Sequence, residues 1–161
     1  MFMVGKIMSA INLSKHIIKT GTDSGIVDIS NKKLQKLLYY VQAWTLVLYS
    51  KKAFDEDIEA WVHGPAIPNV YRVYKDFAFN PIPVAMAASV NTMDDDVKSV
   101  VKDVLEVYGK YDADYLETLT HTEQPWQEAR GNQKPFETSK SVISTSSMKA
   151  YYGQRLKEAK S

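Results

Sequence analysis

The sequence predicts a mainly α, compact single-domain helical bundle, with one short strand or extended segment near residues 57–63. Three observations predict it. Apolar residues recur three or four positions apart in stretch after stretch, which is the spacing of one helix face. Side chains that accept hydrogen bonds from a helix's first turn, such as Ser30 and Asp112, stand just ahead of several of those stretches. Strict alternation of apolar and polar residues occurs once, where Ile58, Ala60 and Val62 interleave with Glu59, Trp61 and His63. The length, 161 residues, suits one domain spanning 1–161, since domains usually run to about 100–200 residues.

In chain order, Ile7, Met8, Ile11 and Ile18 predict a first helix near residues 4–20, and residues 21–25, with a glycine at each end, read as a loop. Ser30 is the expected N-cap of the next helix, although Lys33 stands where a capping box would place Glu. Leu34, Leu37, Leu38, Val41, Thr45 and Leu48 then form the clearest apolar stripe of the chain. After the alternating segment, Gly64 and Pro65 predict a tight turn. Pro68 suits the first turn of a helix, where its missing N–H leaves nothing unpaired. Val70, Tyr71, Tyr74, Phe77 and Ala78 continue that helix, and residues 80–93, opened by Pro81 and Pro83, read as an irregular connector.

Three aspartates, Asp94 to Asp96, precede Val97, Val100, Val101, Val104, Leu105 and Tyr108. Carboxylates complement the positive end of a helix, so a structural role is expected for them. The spacing and the intruding Val97 rule out a calcium loop. Tyr115, Leu116 and Leu119 predict a short helix capped by Asp112 or Asp114. Pro125 starts a brief helical turn carrying Trp126 and Arg130. Beyond the polar stretch 131–141, Met148, Tyr151, Tyr152 and Leu156 predict a last helix, capped from the Ser/Thr cluster and stapled by Ile143.

Composition narrows the function. With 45% hydrophobic residues the chain builds a core, and without cysteine it has no disulfide, thiolate zinc site or cysteine nucleophile. A net charge of +1 with dispersed lysines lacks the basic footprint of a nucleic-acid binder. No run approaches the ~20 apolar residues of a membrane span, and Lys6 interrupts the N-terminal apolar residues that a secretion signal would need. A cytoplasmic protein with no membrane association is expected. His16, His63 and His121 lack the one-turn spacing of a helical metal pair, and neither a G-x-S-x-G elbow nor a phosphate-cradling loop occurs. No catalytic residue, metal or cofactor is called for.

Two aromatic constellations remain. Trp61, His63, Gly64, Pro65 and Tyr71 form the first; His121, Glu123, Pro125, Trp126 and Arg130 form the second. Buried rings plugging a core explain the tryptophans. Alternatively, Trp61, Tyr71 and Trp126 anchor a protein partner, with His63, His121, Glu123 and Arg130 as the polar rim that fixes its orientation.

The ordered motifs LQKLLYYVQAW, IEAWVHGPAIPNVY and LTHTEQPWQEAR resemble the Panacea antitoxin domain, a family long described as phage-associated proteins. The matching positions are Leu34, Lys36, Leu37 and Tyr39, then Ala60, Trp61, Gly64, Pro65, Pro68 and Tyr71, then Leu119, Thr120, His121, Pro125 and Trp126. The resemblance implies a helical antitoxin of bacterial or prophage origin that neutralises a protein toxin, encoded by an adjacent gene, through direct contact. It also implies an alternative, an adaptor that delivers its partner to a protease. A metal-dependent enzyme using His63 or His121 is a third reading, and a nucleic-acid-binding regulator a fourth. No appended DNA-binding or toxin domain is expected.

Overall fold

A computed structural model describes residues 7–88 and 92–161. Its architecture is mainly α, with α1 (Ala10–Asp23), α2 (Asn31–Tyr49), α3 (Pro68–Tyr74), α4 (Asp95–Tyr108), α5 (Ala113–Thr122), α6 (Gln124–Arg130) and α7 (Thr145–Lys160). One antiparallel hairpin, β1 (Glu59–Trp61) and β2 (Gly64–Ala66), interrupts the helices.

Helix α2 is the axis of the structure. It touches α1, α3, α4, α5, α7 and β2. The apolar stripe explains half of this: Leu34, Leu37, Leu38, Val41 and Thr45 are buried. The other faces are buried too, including Lys33, Gln35, Lys36, Tyr39, Tyr40 and Gln42. The amphipathic helix expected from the sequence is therefore a central helix wrapped on nearly all sides. Its polar residues survive burial by bonding to backbone groups far along the chain. Lys33 donates to Asp28 and to the Gly109 carbonyl at 2.7 Å, and Gln42 donates to the Phe54 carbonyl while accepting from the Ala53 N–H. Leu48, the last residue of the stripe, is 46% exposed, in an apolar groove that it lines with Val104 and Val107 of α4 and Leu156 of α7.

Three caps fall where the side chains predict them, and Asp94, expected only as part of an acidic run at a helix start, is a fourth. Ser30 accepts from Lys33 N, Asp94 from Asp96 N, Asp112 from Tyr115 N and Ser144 from Ser147 N. Asp94 and Asp96 also hold Lys51, so the acidic run is a cap and an ion-pair anchor. Ile143 and Met148, placed to staple the start of α7, are both buried in the core.

Four expectations need correction. The part of the first predicted helix before residue 7 lies outside the described residues, and residues 7–9 are not helical. Ser9 caps α1 there, and Met8 pairs with Phe54 in a parallel bridge. Gly21, expected in a loop, is buried inside α1, where a Cβ would come within 2.5 Å of Ile29 Cδ1. Gly64 and Pro65 belong to β2 rather than to the turn, which is made by Val62 and His63. The helix begun by Pro68 ends at Tyr74 in a 3-10 turn, Lys75–Phe77, with Ala78 at φ +52° beyond it; Tyr71 is exposed. Within the connector 80–93, residues 89–91 lie outside the described residues, and a second 3-10 turn, Val84–Ala87, packs on α1.

Candidate functional site

A three-residue hairpin is marginal by itself, and here side chains from three helices hold it. Ala60 of β1, like Ile58 just before it, faces the core, while Glu59 and Trp61 lie on the outer face, partly exposed. Across from Ala60 stands Pro65. Having no N–H, proline fits a cross-strand pair that makes no ladder bonds. Its carbonyl points instead to α2, where Lys36 Nζ donates at 3.2 Å, and Gln35 accepts from the Ile67 N–H at 2.8 Å. Gly64, at φ +101°, leaves the space that the Lys36 stem occupies: a Cβ there would sit 2.7 Å from Lys36 Cε and 3.0 Å from Thr120 Oγ1.

From α6, Trp126 Nε1 donates to the Trp61 carbonyl at 2.9 Å and Arg130 Nη1 to the Ala60 carbonyl at 2.9 Å. The Arg130 guanidinium lies over the Trp126 ring, and its Nη2 donates to the Lys134 and Glu137 carbonyls. On the far side of β1, residues 141–143 add a strand-like edge. The Ala60 N–H donates to the Ser141 carbonyl and the Ile143 N–H to the Ile58 carbonyl, both at 2.8 Å.

On the outer face, Trp61 donates from Nε1 to Glu59 at 2.8 Å, and its ring meets Tyr71 edge-on at 5.1 Å. Tyr71, at 39% exposure, and Val142, at 47%, open to solvent beside it. At the hairpin tip His63 is exposed and contacts Glu117, which also pairs with Lys32. His121 stacks on Trp126 at 4.0 Å, and its Nε2 is buried without a hydrogen-bond partner. Burial lowers its pKa; Glu117 opposes that and Lys36 adds to it.

The structure therefore divides the seven predicted binding residues. Trp61, Tyr71 and His63 reach the surface. Glu123, Trp126 and Arg130 do not, and the rim role expected of Glu123 and Arg130 and the surface-anchor role of Trp126 give way to support from within. Glu123 accepts from Tyr40 at 2.7 Å and from Tyr152 at 2.9 Å, and Tyr152 shares a further bond with Tyr39. Burial raises the Glu123 carboxyl pKa, and the two tyrosine donors pull it back. His121 lies between the two groups, partly buried. Of the motif residues, Leu34, Leu37 and Tyr39 are core and Lys36 is wholly buried; Pro68 and Pro125 start α3 and α6.

Sequence reasoning missed Val142, Glu59 and Glu117 as members of this region. Glu59 was visible as an outward position of the alternating segment; nothing local marked the other two. Among the described residues, no group of three His, Cys, Asp or Glu gathers as a metal site, and no helix is long and apolar enough to cross a membrane.

Comparison with protein families matches residues 34–127 to the model described as "Antitoxin SocA-like, Panacea domain". The match covers more than half of the chain, and the chain belongs to that family. Comparisons with curated proteins and with solved structures give no match.

Proposed function

We propose that this Panacea-domain chain is an antitoxin that neutralises a protein toxin, encoded by an adjacent gene, by direct binding through the outer face of the hairpin. The observation that carries this reading is the Trp61–Tyr71 pair, an aromatic cluster left at the surface on a backbone that α2 and α6 hold in place. Large rings on a rigid support suit an interface anchor, because little freedom is lost when a partner covers them. His63 and Glu117 would supply polar contacts at one end. An interface of ordinary size, about 800 Å² on each partner, would cover a toxin's working surface without any chemistry on this chain.

The test is growth of cells expressing the adjacent reading frame, alone and with this chain as wild type, Trp61→Ala or Tyr71→Ala. The expected result is toxicity that the wild type relieves and that the two variants, confirmed as folded by circular dichroism, relieve poorly. Full relief by folded Trp61→Ala would refute this face as the binding surface. A toxin whose cellular level falls when this chain is present would turn the reading toward delivery to a protease.

A further inference from the structure

The hydrogen-bond pattern around β1 leaves one edge of the sheet open. Glu59 pairs with Val142 in an antiparallel bridge, and the bonds joining the two segments come from their neighbours: Ala60 N–H to Ser141 carbonyl, and Ile143 N–H to Ile58 carbonyl. In such a pair the central residues turn their own N–H and C=O away from the partner strand. Glu59 can turn its groups toward β2, where it pairs with Ala66. Among the described residues, no strand lies on the other side of Val142, and no hydrogen bond reaches its backbone N–H or C=O or those of Lys140. Buried, such groups would carry a penalty that folded proteins almost never accept. At Val142, nearly half exposed, they face water.

The Val142 side chain shares the outer face with Glu59, since directly opposed residues of a pair project to the same side. Trp61 is two residues along β1 on that face, with Tyr71 against it. A strand laid along residues 140–143 would bond to Val142 through its main chain and direct alternate side chains onto the outer face beside Val142 and Lys140, the residue that the register sets opposite Trp61. An extended backbone is the occupant this edge selects, because one outward donor and one outward acceptor on a single residue match a β-strand.

We propose that the partner of this chain docks as an extended segment added to the 140–143 edge, with an apolar side chain against Val142 and the segment running along the outer face that carries Trp61 one strand away. The proposal rests on the reading of the outer face as the binding surface and specifies how that surface is engaged.

Val142→Pro deletes the outward N–H and leaves both inward bonds, which belong to Ser141 and Ile143, in place. Proline is tolerated at such edge positions. Val142→Thr keeps the main chain and β-branching and serves as control. Peptides about nine residues long, enough for one strand, are selected from a random display library on the wild-type chain and titrated against all three proteins. Selected peptides should bind wild type and Val142→Thr alike and Val142→Pro about tenfold more weakly or worse, the loss of a main-chain hydrogen bond with its partner left unpaired. Hydrogen exchange at the Val142 amide should slow when peptide is bound to the wild-type chain. Equal binding to a folded Val142→Pro, an unchanged exchange rate, or no enrichment of any peptide would overturn the proposal. In the growth assay, relief lost in Trp61→Ala but intact in Val142→Pro would keep the face and remove the strand-addition mode. Relief intact in both would remove the face itself.

Discussion

Replacing Lys36 by methionine should abolish a rise in stability that the wild type shows between pH 7 and pH 9. The Lys36 amine is fully buried, with one carbonyl acceptor at 3.2 Å and no carboxylate paired to it. Burial, reinforced by the nearby Lys32 charge and opposed by Glu117, lowers its pKa from the usual 10.5 to about 7. A folded pKa below the unfolded one means that the unfolded chain binds more protons between the two values. Stability therefore increases with pH across that window, and the full penalty of the buried charge applies below about pH 7. With about 1.4 kcal/mol per pKa unit, the two-unit climb from pH 7 to 9 is worth about 2 kcal/mol, or roughly 4–8 °C in Tm for a domain of this size. Lys36→Met keeps the straight aliphatic stem, removes the titration, and leaves the Pro65 carbonyl without its donor, at about 1–3 kcal/mol. Urea melts of both proteins at pH 7, 8 and 9 decide the matter. The wild-type midpoint should climb while that of Lys36→Met stays level. The shifts of Lys32 and of the buried tyrosines are upward from values near 10, so those groups do not titrate in the window. A level wild-type curve, or the same climb in Lys36→Met, would refute the reasoning.

Two further substitutions probe the support of the hairpin. Gly64→Ala introduces a methyl group within 2.7 Å of Lys36 Cε at a φ of +101°; it should lower stability by about 1–3 kcal/mol, seen as a lower Tm, and an unchanged Tm would mean that the hairpin gives way freely. Glu123→Gln keeps an acceptor for Tyr40 and Tyr152 but cannot ionise. Because burial raises the Glu123 pKa above its usual 4.5, the stability tied to its protonated form is complete below about pH 4.5 and is lost as pH rises through the folded value. The difference in melting free energy between wild type and Glu123→Gln should therefore shift in the variant's favour from pH 4 to pH 7, and parallel profiles would contradict the assignment.

The residues that the sequence placed well follow local rules. Ser30, Asp112 and Ser144 cap helices because each needs only an N–H three residues ahead. Ile58 and Ala60 alternate inward because pleating dictates it. Lys33, Lys36, Glu123 and Arg130 were not legible as interior residues. A charged side chain reads as solvated unless its partner is known, and these find theirs across the fold: Lys33 at Gly109, Lys36 at Pro65, Glu123 at Tyr40, Arg130 at Ala60. Gly64 was recognised as special, but the reason is the Lys36 stem beneath it and not a turn. For the candidate site, Trp61 and Tyr71 were visible as aromatic anchors, whereas Val142 entered only through a strand pairing more than eighty residues away.

The polar groups beneath the hairpin answer a need of its backbone. An apolar support would leave the outward carbonyls of Ala60 and Pro65 without donors, each a cost of about 1–3 kcal/mol if water were excluded. Arg130 and Lys36 supply those donors, and Trp126 donates to the Trp61 carbonyl beside them. Arg130 and Trp126 are further tied to each other by a cation–π contact, the guanidinium 5.0 Å from the ring centroid. Glu123, the residue just ahead of α6, anchors that helix to α2 and α7 through Tyr40 and Tyr152. A displacement of α6 would therefore strain both the tyrosine cluster and the hairpin. The surface rings of Trp61 and Tyr71 inherit that rigidity from buried groups, so, if the proposed face binds the partner, binding should suffer when Arg130 or Trp126 is truncated even though both are buried.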